Sequence, residues 1–384
     1  MKTAIKTILI VIVLLASAAR AFAYPPDNAA VLYYKAFMLL EEPNDSIKQM
    51  LRDLQDGKIG LNEQIRQYVE RNRKVIDEIV TAAEIKNCDW GLDFSKGLAL
   101  EIPHLAKCRQ MGYIFAADAR VWAKKGDCRT ALERCLTIHK MGGHIGSDTL
   151  IARLVGIAVS GTAYACIADI LPQVSENTEM LQWLKGRLID VSSRCPPMKA
   201  AMPNETEIFG EHINKADVLA VIAEGVIKPA EVFPKEILEG DDEFFARAKE
   251  YWYSVMARMQ IAFDLPYVQA MQEFEDLSQE VKKYADEKPE VKITQCLFPA
   301  IGRAYSIETR IKTHTNAVLA GIDIYLIRDR TGKLPDELPA GLPKDMFSGK
   351  DFLYERTDAG FVLKCQGKDL AFDTIRQFEF KVAK

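Results

Sequence analysis

The stretch Asp148–Leu171, DTLIARLVGIAVSGTAYACIADIL, decides how the rest of the chain folds. From Leu154 to Ala168 it carries no charge, and its small and apolar residues leave no polar face. A helix that is apolar all round lies inside a protein or inside a membrane. The run is shorter than the roughly 20 residues that cross a bilayer, so it reads as a buried core helix. Gly156, Ser160, Gly161, Ala163 and Ala165 leave room for neighbouring helices to approach closely. Ser147 or Asp148 is the expected N-cap, and Pro172 stops the helix. Such a helix needs amphipathic helices around it.

The flanking sequence supplies them. Asp27 or Asn28 caps a helix over Ala29–Glu41, where Leu32, Tyr33, Ala36, Phe37 and Leu40 recur at helical spacing. After Pro43-Asn44-Asp45, a helix is expected over Ser46–Leu54 and a long one over Asn62–Ile85. Pro103–Lys124 and Cys128–Lys140 form two helices across Gly126-Asp127, and Met141–Gly146 is a glycine-rich connection into the central helix. Thr178–Ser193 and Asp241–Phe263 are amphipathic; the second resumes after Pro266 as far as Tyr284. Met198–Gly240 has mixed periodicity. Asp286–Pro289 marks a domain boundary, followed by a helix over Ala304–Arg328 and strand-like runs at Phe352–Glu355, Phe361–Cys365 and Gln377–Val382. The expected fold is mainly α: a multi-helix domain over 24–285, then a small α+β C-terminal module over 304–384 with a short antiparallel sheet.

The chain has 384 residues, 48% hydrophobic and 27% charged, the composition of a globular protein. A net charge of −4, with no basic stripe, argues against nucleic acid as a partner. Lys2 and Lys6 precede an apolar run, Thr7–Ala19, and Ala21-Phe22-Ala23 is a cleavage site. A signal peptide over 1–23, with Tyr24 as the mature start, is expected, and hence a periplasmic or secreted protein with no membrane span after cleavage. Eight cysteines in an oxidising compartment permit disulfides, though Cys128 and Cys135 lie about 10 Å apart along one helix and do not bond each other.

No nucleophile elbow, phosphate loop, dinucleotide fingerprint, H-E-x-x-H or C-x-x-C is present. Neither a cofactor nor a metal is expected. Glu207 and Glu211, four apart, share a helical face and can offer two carboxylates to a cation, with His212 beside them. The same spacing makes an ordinary solvated acidic face. Trp90, Asp93 and Phe94 stand in a loop rich in turn residues, where exposed aromatics beside an acid can recognise a ligand or partner. The two rings can equally plug the helical core.

Two resemblances add to this reading. The helix, Gly126-Asp127, helix arrangement resembles a tetratricopeptide-type hairpin, although no repeat recurs at a fixed period. In the tail, Ile322-Asp-Ile-Tyr325, Gly332-Lys-Leu-Pro335, Pro343-Lys-Asp345, Phe347, Gly349, Tyr354, Gly360-Phe-Val-Leu363 and Gly367-Lys-Asp369 resemble the C-terminal part of type II secretion major pseudopilins. That implies a helix packed on a small sheet over Ile311–Lys384. Met346 stands where that family has proline, no prepilin processing site is present, and only Asp369 and Asp373 remain of the acidic calcium loop. Too few ligands are left for calcium. Asn28–Tyr34, Cys88–Gly97, Pro103-His104-Leu105 and Thr149–Ala158 resemble a group of exported bacterial proteins of uncharacterised activity.

The expected function is a non-enzymatic interaction or scaffold protein of the periplasm or cell envelope, binding other envelope proteins. Two alternatives carry distinct structural signs. An envelope hydrolase would gather ionisable residues, carboxylates among them, into a deep pocket with perturbed pKa values. A small-molecule or peptide binder would show an apolar pocket without such acids.

Overall fold

The computed structural model describes residues 27–146, 148–223, 237, 239–297 and 301–382, so the expected leader over 1–23 and Ser147 lie outside the described residues. Helix starts follow local side chains that accept otherwise unpaired backbone N–H groups. Asn28 caps α1 (Ala29–Leu39) through the Ala30 N–H at 3.0 Å, and Asn44 caps α2 (Asp45–Gln55). Next come α3 (Glu63–Arg71) and α4 (Arg73–Glu84). The single helix expected over Asn62–Ile85 is thus two. At Asn72 the backbone leaves helical geometry, and its side chain accepts the Glu41 N–H at 3.0 Å.

The chain divides into two compact units, Met1–Glu42 with Arg71–Gly91, and Pro43–Glu70 with Leu92–Lys384. Within the first, α1 packs on α4, and the chain after α4 folds back over α1. The Asn28 amide holds that return by donating to Asp89 O at 2.7 Å and accepting the Asp89 N–H at 2.8 Å.

The second unit is built round the helix read first from the sequence. A 3₁₀ turn, Phe94–Ala99, leads to α5 (His104–Lys124), which Gly126 in left-handed geometry turns into α6 (Cys128–Ile145). Then comes α7 (Leu150–Ile170), capped by Thr149 through the Ala152 N–H at 3.2 Å, one residue beyond the expected Asp148. Its apolar stretch is long enough to cross a membrane by length and hydropathy, but just over half of it is buried inside the protein, against α5 and α6 among others.

Met141–Gly146 is not a loop down to Gly146: α6 continues to Ile145 because Gly142 meets α7 backbone to backbone. A Cβ on Gly156 would lie 2.3 Å from the Gly142 carbonyl oxygen, and one on Gly142 would lie 2.7 Å from that of Gly156. Gly161, by contrast, faces only the flexible end of Ile311 at 3.1 Å. Gly156→Leu is therefore expected to cost about 1–3 kcal/mol or more by overpacking. A denaturant midpoint equal to that of the unaltered protein would show that the two helices do not touch there.

Beyond α7 come α8 (Thr178–Ser193), α9 (Met202–Glu211), α10 (Lys215–Ala223), α11 (Asp242–Ala262), α12 (Tyr267–Glu287) and α13 (Val291–Leu297). The last helix, α14 (Ile301–Thr331), is 31 residues long and joins two cores. Ile301 and Ala304 pack with α11 and α12, whereas Ile322, Ile324 and Tyr325 pack with the sheet.

That sheet is antiparallel in the order β1 (Leu353–Thr357), β2 (Gly360–Asp369), β3 (Thr374–Lys381), with a register break between Lys364 and Lys368. Gly321 lets α14 approach Phe380, and the Tyr325 hydroxyl donates to Lys381 O at 2.6 Å. The molecule is mainly α with a small α+β C-terminal module. Asp345, fully buried, pins the loop before the sheet: its carboxylate accepts from the Phe347 and Gly367 N–H groups and the Ser348 hydroxyl.

The module is fastened to the helices through Asp369, also fully buried. Its carboxylate accepts from the Ser306 hydroxyl at 2.6 Å and from Arg310 Nη2 at 3.0 Å, with Arg376 at 3.7 Å. Tyr267 hydrogen-bonds Ser306 at 2.7 Å and accepts the Leu370 N–H at 2.9 Å. Asp373, the other residue left from the acidic loop, pairs with Lys368. Cys128, Cys135, Cys166, Cys195 and Cys365 carry free thiols.

Candidate functional site

The residues singled out from sequence go to three places. Trp90 is buried in the first unit, stacked on Tyr33 (ring centroids 5.4 Å apart) and on Phe37 (6.3 Å), with Tyr34 edge-on. It fills a core, which the alternative reading of its loop expected of both rings. Asp93 instead caps the Phe94–Ala99 turn through Ser95, and Phe94 is exposed. Glu207 and Glu211 lie on the outer side of α9, both exposed, with the Tyr253 hydroxyl donating to Glu207 at 3.3 Å.

His212 turns away from those acids. Its ring lies against Gly97, where a Cβ would come within 2.2 Å of the imidazole, and its Nδ1 sits 2.7 Å from Asp217 Oδ2. The Asn214 amide donates to the same carboxylate oxygen at 2.7 Å. His212 and Asp217 share a cleft of about 260 Å³ with Ser95, Lys96 and Glu101. An Asp-oriented imidazole is a part of many catalytic sites, but among the described residues no activated nucleophile or metal-ligating cluster stands with it. A wider groove of about 390 Å³ holds Lys48, Arg52 and Arg109, all exposed.

A smaller pocket, lined by several polar side chains, was not anticipated. It measures about 90 Å³ and lies where α6, α7 and α14 meet the turn after α8. His139 comes from α6, and Arg153, Ser160 and Tyr164 from one face of α7. Ser192 and Cys195 come from the end of α8 and its turn, and Glu308, Lys312 and Thr315 from α14. Tyr164 Oη, His139 Nε2 and Ser192 Oγ form a closed triangle of 3.1, 3.2 and 3.2 Å, with Cys195 Sγ 3.8 Å from the imidazole.

Burial sets the protonation states. It pushes His139 down to about 4, with the Arg153 charge adding repulsion. It raises the Cys195 thiol, although Arg153 opposes this, and lifts Tyr164 to about 12. At neutral pH the pair is a thiol beside a neutral imidazole, not the thiolate–imidazolium of a cysteine nucleophile.

Arg153 is the unusual member. It is 6% exposed, its ionisation is penalised by burial and supported by Glu308, and a guanidinium stays charged throughout the physiological range. Yet its Nε and Nη1 have no hydrogen-bond partner among the described residues. Buried polar groups are nearly always paired, and an unpaired buried charge is the costlier exception. Glu308 does not close this gap. Its carboxylate takes the Met198 N–H at 2.8 Å and faces Lys312 Nζ at 3.5 Å. Gly146 makes the arrangement possible, since a Cβ there would come within 2.8 Å of Arg153 Cδ and 2.9 Å of Nη1.

One further carboxylate is buried nearby, on the helix whose exposed acids the sequence had picked out. Glu205 accepts the Leu150 N–H at 3.2 Å at the start of α7, and burial lifts its pKa to about 6. The chain matches no protein-family model, no curated protein and no solved structure.

Proposed function

We propose that this chain is an exported, non-enzymatic binding protein of the cell envelope whose helical domain holds a small anion. The observation that carries the reading is the buried Arg153 guanidinium beside the pocket, two of whose donor nitrogens lack acceptors among the described residues. A ligand that brings a negative charge to the pocket offsets the cost of burying the guanidinium. The hydrolase reading has less support. The cavity does gather ionisable groups with perturbed pKa values, but it contains one carboxylate, already engaged, and burial holds the thiol and imidazole neutral.

Calorimetry against a panel of small carboxylates, phosphates and sulfates tests the proposal. At least one should bind with a Kd below about 1 mM, near −4 kcal/mol, and Arg153→Gln should lose it. A panel with no binder sinks the reading.

A docking role for other chains has its own support within the first unit. Val31, Tyr34 and Met38 are exposed by 53%, 37% and 88% and lie at helical spacing along α1, a row suited to an apolar helix of a partner. Cross-linking in intact native cells examines this together with export. The isolated protein should begin at Tyr24, and a start at Met1 would overturn export. A partner captured equally well by Met38→Asp would remove the docking role. Kinship with pseudopilin tails belongs to the same proposal, supported by the order of a long helix followed by a small antiparallel sheet.

A further inference from the structure

Two thiols meet in the core where α6 packs on α7, away from the Arg153 pocket. Cys135 and Cys166 are both fully buried, and the Cys135 thiol hydrogen-bonds the Cys166 sulfur. The Cys166 thiol in turn donates to Ala116 O of α5 at 3.7 Å. The contact falls in an antiparallel ladder. Gly142 faces Gly156 and Ser160, His139 faces Tyr164 with ring centroids 5.1 Å apart, and the next level along α6 brings Cys135 to Cys166. Cys128, Cys195 and Cys365 face Gln173, His139 and Asp345 instead of a second sulfur.

A disulfide brings its sulfurs to about 2.05 Å and its Cα atoms to about 4.4–6.8 Å. Helices packed through ordinary side chains keep their axes about 8–10 Å apart. Here the backbone contact between Gly142 and Gly156 draws α6 and α7 closer than facing side chains would allow. From the existing thiol contact, each sulfur needs only to turn about its own Cα–Cβ bond.

We infer that Cys135 and Cys166 join in a disulfide when the chain folds in an oxidising compartment, fastening α6 to α7. The inference rests on the export reading above. The oxidant is itself a disulfide, on a carrier protein or a small thiol compound. One cysteine of the pair gives up its proton, bonds one carrier sulfur and expels the other as a thiolate. The second cysteine then loses its proton, attacks the first and releases the remaining carrier sulfur. Two thiols of this chain become one disulfide, the carrier's disulfide becomes two thiols, and the two protons pass to the sulfurs released. Both cysteines are enclosed in the finished fold, so the exchange occurs as α6 and α7 meet, before Leu181, Leu184 and Leu188 of α8 complete the same core.

Peptide mapping reads the bond directly and needs no variant. The chain from Tyr24 is produced behind an unrelated export signal into a bacterial periplasm, and separately without a signal in a reducing cytosol. Free thiols are alkylated under denaturing, non-reducing conditions before digestion. Most exported molecules should yield peptides linked through Cys135 and Cys166, and the cytosolic product should carry alkyl groups on both. The exported product should also unfold roughly 3–6 °C higher without reductant than with it, a difference absent from the Cys135→Ala variant. Both cysteines alkylated in the exported product, or either joined to a different cysteine, would overturn the inference. Protein taken from its own cells separates this result from the export reading. A pair linked after forced export but alkylated in native cells, with Met1 retained, would overturn export and leave the pair standing.

Discussion

Between pH 7 and pH 4 the protein is expected to lose on the order of 5 kcal/mol of stability through His139 and His314, and His104, also held down to about 4 by burial, adds to that loss. Burial holds His139 and His314 down to about 4, aided by the neighbouring charges of Arg153 and Arg376. In the unfolded chain each titrates near its ordinary value of about 6.5. As pH falls, the unfolded state therefore takes up protons first. The contribution is fully present above about 6.5 and disappears between there and about 4. His139 accounts for about 3 kcal/mol; His314, partly open, for somewhat less.

Glu205 acts in the opposite sense. Its carboxyl is lifted to about 6, so the folded state binds that proton first between about 6 and 4.5 and regains about 2 kcal/mol. Urea denaturation at several pH values should thus show a net acid loss that Glu205→Gln deepens and His314→Phe reduces. Stability independent of pH across this window would mean the two rings are not enclosed as described.

Asp369→Ala is expected to cost about 3–5 kcal/mol, because it leaves Arg310 as a partly buried charge without its partner and cuts the link from Ser306. Arg310 has one compensation, the Phe372 ring 4.0 Å below its guanidinium. Asp369→Asn keeps an acceptor for Ser306 and should cost less. Hydrogen exchange should locate the damage, with amides of β2 and β3 losing protection before those of α6 and α7. Equal protection in all four elements, with an unchanged midpoint, would mean that the ion pair does not hold the module.

What the sequence disclosed was local. Asn28, one of two cap candidates in the sequence, caps α1, and Asn44, Asp127, Asn177 and Asp241 cap α2, α6, α8 and α11 in the same way, since a cap needs only residues two or three along the chain. Thr178–Ser193 was legible to the residue. The misreadings share a distant cause. The helix break at Asn72 answers to the backbone of Glu41, and α6 runs through two glycines because Gly142 has Gly156 across from it. Neither partner is near in sequence.

The site was hidden for the same reason. Its side chains lie on three helices and a turn, from His139 to Thr315. Histidine spacing within one helix could not reveal a ring whose partners are Tyr164 and Ser192. One signal was present. Arg153 is the single charged residue between Leu150 and Ala168, and it projects from a helix that is otherwise apolar. A lone cation in such a place needs a counterpart, and that question leads to the cavity.

The long helix α14 also bears on how the chain is made. Ser306, Arg310, Gly321 and Tyr325 are synthesised well before Asp369, Phe380 and Lys381, the residues that cover or engage them. Until the last strand arrives, α14 presents an apolar stripe and an unanswered guanidinium to whatever surrounds the nascent polypeptide. A message ending before Thr374 would yield exactly the surface that chaperones and quality-control proteases seize. The strand β3 works as a seal on this module, and termination before it is made would leave that surface open.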